Sequence, residues 1–163
     1  MMATREEILS IIEMNSRIDV KELAVMLGSE EIDVANELKA LEDEGIICGY
    51  HTMIDWSKSS IEKVDALIEV TVTPTRGLGF DSIAERIYKY PEVSSVYLMS
   101  GGFDLMVIVE GKSLQQVAGF VNNKLATLDT VLSTATHFIL KKYKDHGTIL
   151  TKQYEDTREI MSL

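Results

Sequence analysis

Residues 29–50 read SEEIDVANELKALEDEGIICGY. Ser29 is a good helix cap, and Glu30 and Glu31 follow where carboxylates favour the positive end of a helix dipole. Ile32, Val34, Ala35, Leu38 and Leu41 then form an apolar stripe at helical spacing, and Gly45 stops it. Upstream, Asp19 and Glu22 start another helix, with Leu23, Met26 and Leu27 on one face and Gly28 as its stop. Further upstream, Thr4 and Glu7 make a capping box ahead of Ile8, Ile11 and Ile12, predicting a helix over about residues 4–15. Three short helices with a tight Gly28-Ser29 turn between the second and third predict a helix-turn-helix. Ile46 to Asp55 has strand composition with a glycine in it, as a β-wing would.

Downstream, WSKSSIEK (residues 56–63) is polar and reads as a linker. An alternating strand follows. Val64, Ala66, Ile68, Val70 and Val72 face one way, and Asp65, Glu69, Thr71 and Thr73 face the other. Leu67 interrupts the polar side, so that side is partly covered too. Pro74 ends the strand. After a Gly77-Leu78-Gly79 turn, Ile83, Ile87 and Tyr88 mark a helix to about Tyr90. Val93 to Met99 and Asp104 to Glu110 read as strands of a hairpin turning at Ser100-Gly101-Gly102-Phe103. Ser113 and Gln116 cap a further helix with Leu114, Val117, Val121 and Leu125 on its buried side. Val131 to Tyr143 alternates again as a long last strand. The order β-α-β-β-α-β predicts a ferredoxin-like sandwich, two helices on one face of a four-stranded antiparallel sheet. The apolar content of the other face suits packing against a second copy.

The whole is an α+β chain with four expected parts. Residues 1–55 are a winged helix-turn-helix, 56–63 a linker, 64–146 a ferredoxin-like sensing and oligomerising domain, and 147–163 a C-terminal extension with a short helix. With 163 residues there is material for two small domains. The longest apolar runs, such as Leu105 to Val109, are far short of the ~20 residues that span a bilayer. No basic-then-apolar leader opens the chain. Cys48 is the single cysteine and has no internal disulfide partner, so a cytoplasmic setting is the expectation.

Charge cuts against the helix-turn-helix reading. The chain carries −10 overall. Residues 1–60 hold 13 acids against 5 bases, and Ser29 to Glu44 hold 7 acids against Lys39 alone. DNA binders usually gain affinity from lysine and arginine displacing counterions.

Two motif sets lie in the right order with matching folds between them. Residues 34–50 resemble the recognition helix and wing of the Lrp/AsnC family, the leucine- and asparagine-responsive regulators, at Leu41-Glu42, Gly45, Ile47 and Gly49-Tyr50. Ser100-Gly101-Gly102-Phe103-Asp104 is similar to the glycine-aromatic-aspartate turn of that family's effector domain. Ser133-Thr134-Ala135-Thr136 resembles the threonine-bearing start of its last strand. The resemblance covers roughly residues 4–145. It implies a transcriptional regulator that binds double-stranded promoter DNA, responds to a free amino acid or similar small metabolite, dimerises through the sheet and assembles further into octamers. One departure stands out: Glu37 occupies a place where the family usually has a basic residue.

The candidate DNA contacts are Ser29, Asn36 and Lys39, with His51 and Lys58 in or near the wing. Ser29 would meet a phosphate, Asn36 an adenine, and Lys39 a guanine or a phosphate. The plainer reading makes Ser29 a cap and the others solvated. The candidate effector contacts are Met99, Ser100, Gly101, Gly102, Phe103, Asp104, Thr134 and Thr136. The glycines leave room for a ligand to reach backbone N–H groups, Asp104 would answer an ammonium group, and the threonines would bond either end of an amino acid. The plainer reading is a hairpin turn beside ordinary strand threonines, with Met99 and Phe103 packing. His51, His137 and His146 share no metal-ligand spacing with one another or with Cys48, and no phosphate loop or nucleophile elbow occurs. An enzyme, a metal and a cofactor are therefore not expected. Two other readings compete. One is a sensor or interaction module of the same descent whose acidic head binds DNA weakly. The other is a small ferredoxin-like enzyme, which would need a clustered polar pocket.

Overall fold

A computed structural model describes residues 4–74 and 79–151. The chain divides into two compact units, Met1–Met53 and Ile54–Leu163.

The first unit holds α1 (Arg5–Met14), α2 (Val20–Leu27) and α3 (Glu31–Asp43). The capping box at α1 is present: Thr4 accepts from the Glu7 amide, and Glu7 accepts from the Thr4 amide. Asp19 caps α2 by accepting from the Glu22 amide. Gly28 takes φ +61°, and the amides of Gly28 and Ser29 donate back to Val25 and Ala24. This is a Schellman stop, and Gly45 at φ +72° makes the same stop for α3, with Ile46 donating to the Leu41 carbonyl. Ile8, Leu23, Ala24, Val34 and Leu41 are the buried core of the unit.

Three expectations for this unit need correction. Ser29 does not cap α3. Its amide is used in ending α2, its hydroxyl donates to the Leu27 carbonyl, and Glu30 takes the cap position without a side-chain bond. Met26 and Ile32 are exposed. Leu23, Ala24 and Leu27 centre the buried face of α2 on the far side from Met26, and Ile32 lies about 160° around α3 from Val34 at 100° per residue. Finally, residues 46–55 form no strand. The amides of Ile46 and Ile47 both donate to the Leu41 carbonyl, and a lone two-stranded ribbon is marginal in water.

The second unit opens with a short 3₁₀ turn, Trp56–Lys58, within the stretch read as a linker. Then come β1 (Val64–Val72), α4 (Asp81–Tyr88), β2 (Val93–Leu98), β3 (Leu105–Gly111), α5 (Leu114–Phe120, continued as a π-turn over Val121–Leu125) and β4 (Val131–Phe138). The strands form one antiparallel sheet in the order β2-β3-β1-β4, the ferredoxin-like arrangement. Ala66, Ile68 and Val70 of β1 and Leu105, Val107 and Val109 of β3 are fully buried. They pack with Ile83 and Ile87 of α4 and Val117, Phe120, Val121 and Leu125 of the α5 segment. The helices therefore cover one face. The other face carries Tyr97, Met106, Glu69 and Ala135 in one row and Ser95, Ile108, Leu67 and His137 in the next.

Here too some expectations shift. Tyr88 and Leu114 are exposed, while Tyr90 instead packs edge-on against Phe120. β4 ends at Phe138 rather than Tyr143, because β1 starts at Val64 and only the Ile139 amide still finds it, at Asp65. The chain then makes a tight hairpin of β5 (Lys144–Asp145) and β6 (Thr148–Ile149), turning through His146 (φ +42°) and Gly147 (φ +79°). Most of the Gly77-Gly79 turn and most of the expected C-terminal helix lie outside the described residues. Among the described residues no helix is long and apolar enough to cross a membrane.

The packing of α4 gives a paired test. Ile87→Ala should lower stability by about 2–5 kcal/mol in urea unfolding, while its exposed neighbour Tyr88→Ala should stay within about 0.5 kcal/mol.

Candidate functional site

The turn between β2 and β3 is anchored at one residue. Asp104 donates its amide to the Val70 carbonyl (3.2 Å), and its Oδ2 accepts the Val72 amide (2.8 Å). Its carbonyl accepts the Met99 amide (2.8 Å), which closes the hairpin. The aspartate therefore ties the turn to the last residues of the central strand. Within the protomer this carboxylate is already engaged by backbone, which gives it a structural duty beside the ammonium contact expected of it. Phe103 is half-buried, and Met99, Ser100, Gly101 and Gly102 are exposed. A Cβ on either glycine would meet nothing within 4 Å, so packing inside the protomer does not demand glycine there.

Thr134 pairs with Val70 and Thr136 with Ile68, so both half-buried threonines point to the helix-covered face. Val70 also pairs with Leu105, next to Asp104. Thr134 thus shares one end of the sheet with the turn, two strand spacings or roughly 10 Å away, and Thr136 lies one row further in. The turn and Thr134 form one neighbourhood; they do not form a closed pocket within one protomer.

Asn36 and Lys39 sit three residues apart on the exposed side of α3. His51 is exposed in the extended segment after it, and Lys58 in the second unit pairs with Asp55 at 2.8 Å. The anionic character of α3 is lower than its composition says. Arg5 on α1 reaches Glu37 at 2.6 Å through Nε and clasps both oxygens of Glu44 at 2.7 and 2.8 Å. Tyr50 donates to Glu42 at 2.8 Å. Glu37, the family departure, is half-buried against α1 rather than displayed outward. The Arg5 bond holds the Glu44 carboxyl below the ordinary carboxylate range, and the Glu44 bond leads the causes that raise the guanidinium's own pKa. Neither Arg5 nor Glu44 stood out in the sequence, because the partners lie 39 residues apart.

No group of three or more His, Cys, Asp or Glu side chains that could hold a metal occurs among the described residues.

Two outcomes follow from this geometry. Asp104→Ala leaves the Val72 amide without its acceptor and should cost about 1–3 kcal/mol in urea unfolding. Glu44 with a lowered folded-state pKa stabilises above its unfolded value near ~4.3, and that contribution is lost as pH falls through the folded value. Far-UV circular dichroism along an acid titration should therefore show a weaker acid dependence for Arg5→Gln than for the native chain, and lower stability at neutral pH.

The comparisons with known proteins agree with this architecture. Residues 65–149 match the family model of the Lrp/AsnC ligand binding domain. The chain is 50% identical over 157 residues to YugG of Bacillus subtilis, an uncharacterised HTH-type transcriptional regulator, covering 96% of this chain and 95% of that one. It is 31% identical over 137 residues to the HTH-type transcriptional regulator LrpA of Pyrococcus abyssi, covering 84% and 94%. Among solved structures it resembles the transcriptional regulator NMB0573 of Neisseria meningitidis in complex with L-Met, with a TM-score of 0.69 and 24% identity over 85% of this chain and 89% of that one. The chain belongs to the Lrp/AsnC family and is a transcriptional regulator rather than an enzyme.

Proposed function

We propose that the chain binds double-stranded promoter DNA through α2 and α3, used as a helix-turn-helix, and that an amino acid or similar small metabolite controls it. The observation that carries the reading is the Asp104 anchor. It fixes an exposed Ser100-Gly101-Gly102 tip at a set height beside Thr134, on a rigid strand end. Open backbone amides on such a tip suit a carboxylate, and the threonine hydroxyls suit either end of an amino acid. A related protein is known in complex with L-Met, which fits this ligand class. In the head, Asn36 and Lys39 face the major groove and read base edges, while Ser29, His51 and Lys58 meet phosphates. The Arg5 clasp supports this reading by offsetting one of the two negative charges on Glu37 of α3 and Glu44 at its end.

The open sheet face is the surface for a second copy. Tyr97, Met106, Ile108 and Leu67 give it an apolar middle, and a two-fold pairing would cover it on both partners. Dimers of this kind carry two heads, and further assembly toward octamers spaces several. The ligand acts by favouring one arrangement over another in the cytoplasm.

A second reading keeps the sensor and weakens the DNA contact. Glu30, Glu31 and Asp33 remain exposed at the start of α3, with no basic partner among the described residues. Glu37→Arg is a poor probe of this, since it sets a second cation against Arg5. Glu31→Lys is cleaner.

Binding to the chain's own upstream promoter region across a salt series decides between the two. The first reading expects specific binding at low salt, a log–log salt slope that shrinks by about 1 in Lys39→Ala, and tighter binding in Glu31→Lys. No specific binding by the native chain at low salt, with or without each amino acid, would sink it. A thermal-shift screen of free amino acids tests the effector separately. A true ligand at 100 times its dissociation constant adds about 2.7 kcal/mol, and the gain should vanish in Gly102→Val if the tip holds it.

A further inference from the structure

The outward side of α3 is a single stripe. At 100° per residue, Ile32, Asn36, Lys39 and Asp43 fall within about 40° of the line opposite the buried Val34. Ile32 is 66% exposed there, and it is the one large apolar side chain of α3 that is exposed. Val34, Leu38 and Leu41 all belong to the packed core of the unit. Neither usual cause accounts for an isoleucine at this place. Ile32 is outside the core cluster, and its branched Cβ makes it a poorer helix former than the alanines and glutamates elsewhere in α3.

Its place along the helix narrows what it can meet. Ile32 lies in the first turn of α3, the part of a recognition helix that reaches base edges. Glu31 and Asp33 stand about 100° to either side of it. No cation occurs between Ser29 and Lys39 to hold a phosphate at this end. Contact with DNA here therefore has to come from the bases. An isoleucine side chain offers no donor or acceptor, and the one apolar group that base edges present in the major groove is the 5-methyl of thymine. Asn36 is one turn further on, about 6 Å along the axis, or under two base-pair steps of about 3.4 Å.

We infer that Ile32 is a specificity-determining residue that reads the 5-methyl group of a thymine within about two base pairs of the base contacted by Asn36. The inference rests on the reading of α3 as the helix that enters the major groove. The contact separates T·A from C·G without a hydrogen bond and without a positive charge, because cytosine has no methyl at that position. That suits a helix whose only cation is Lys39.

Thymines in the stretch that the chain protects within its own upstream promoter region are replaced by uracil one at a time, which removes only the methyl. The native full-length chain should bind about fourfold more weakly at one or two such positions per half-site, the effect of taking one methyl out of an apolar contact. Ile32→Ala should bind the thymine DNA about fourfold more weakly than the native chain, should no longer distinguish thymine from uracil at those positions, and should melt no lower. Ile32→Val keeps the branched carbon and should retain part of the discrimination. Equal uracil penalties in the native chain and in Ile32→Ala would overturn the inference. So would specific binding that is indifferent to every thymine methyl, an outcome that leaves the reading of α3 standing. No specific binding at low salt would remove both together. A shift in the oligomeric state of DNA-free Ile32→Ala in sedimentation would show that this side chain faces protein, and would equally overturn it.

Discussion

Everything in the second unit is hung on β1. It is one of the two interior strands of the sheet, bonded to β3 on one side and to β4 on the other, and its inward residues are fully buried from Ala66 to Val70. A central antiparallel strand must have all its amides paired, and the bond from the Val72 amide to Asp104 Oδ2 completes that pairing where the ladder stops. The same bond sets the β2–β3 turn on the strand. A rigid frame therefore carries an exposed glycine tip at one end.

The head solves a different problem, which is charge. Its composition opposes contact with a polyanion, yet the acids are not equivalent. Glu37 and Glu44 face α1 and serve the packing of helix on helix through Arg5. Glu42 receives Tyr50. What remains to face outward is Asp43 at the end of α3 and, at its start, Glu30, Glu31 and Asp33, which also favour the helix dipole. Local stability of the helix and attraction to phosphate pull in opposite directions at those three positions.

Much of the fold could be read from the residues because it is governed by local rules. The Thr4–Glu7 box, the Asp19 cap, the glycine stops and the period-two alternation of β1 each depend on neighbours a few positions away. Ser29 failed because α3 begins one residue later than the cap residue suggests, with Glu30 in the cap position. Met26, Ile32 and Tyr88 are apolar side chains turned away from the buried residues of their helices, and apolar character alone does not say which side chains a helix buries. The end of β4 depends on where β1 begins, which is a tertiary fact. At the sites, the sequence points to the glycine turn and to the exposed side of α3. The Asp104 bond to β1 and the Arg5 clasp join residues 32 and 39 positions apart and leave no mark on periodicity or composition.

The Arg5 clasp also changes how relatives of this chain are to be compared. Position 37 taken alone looks like a site where a cation was exchanged for an anion, with the ability to hold DNA exchanged along with it. Positions 5, 37 and 44 together describe one three-membered contact in this chain, in which a single cation serves two carboxylates. In a set of related heads these three positions should change as a unit, and the charge that matters for DNA should be counted only after that unit is set aside.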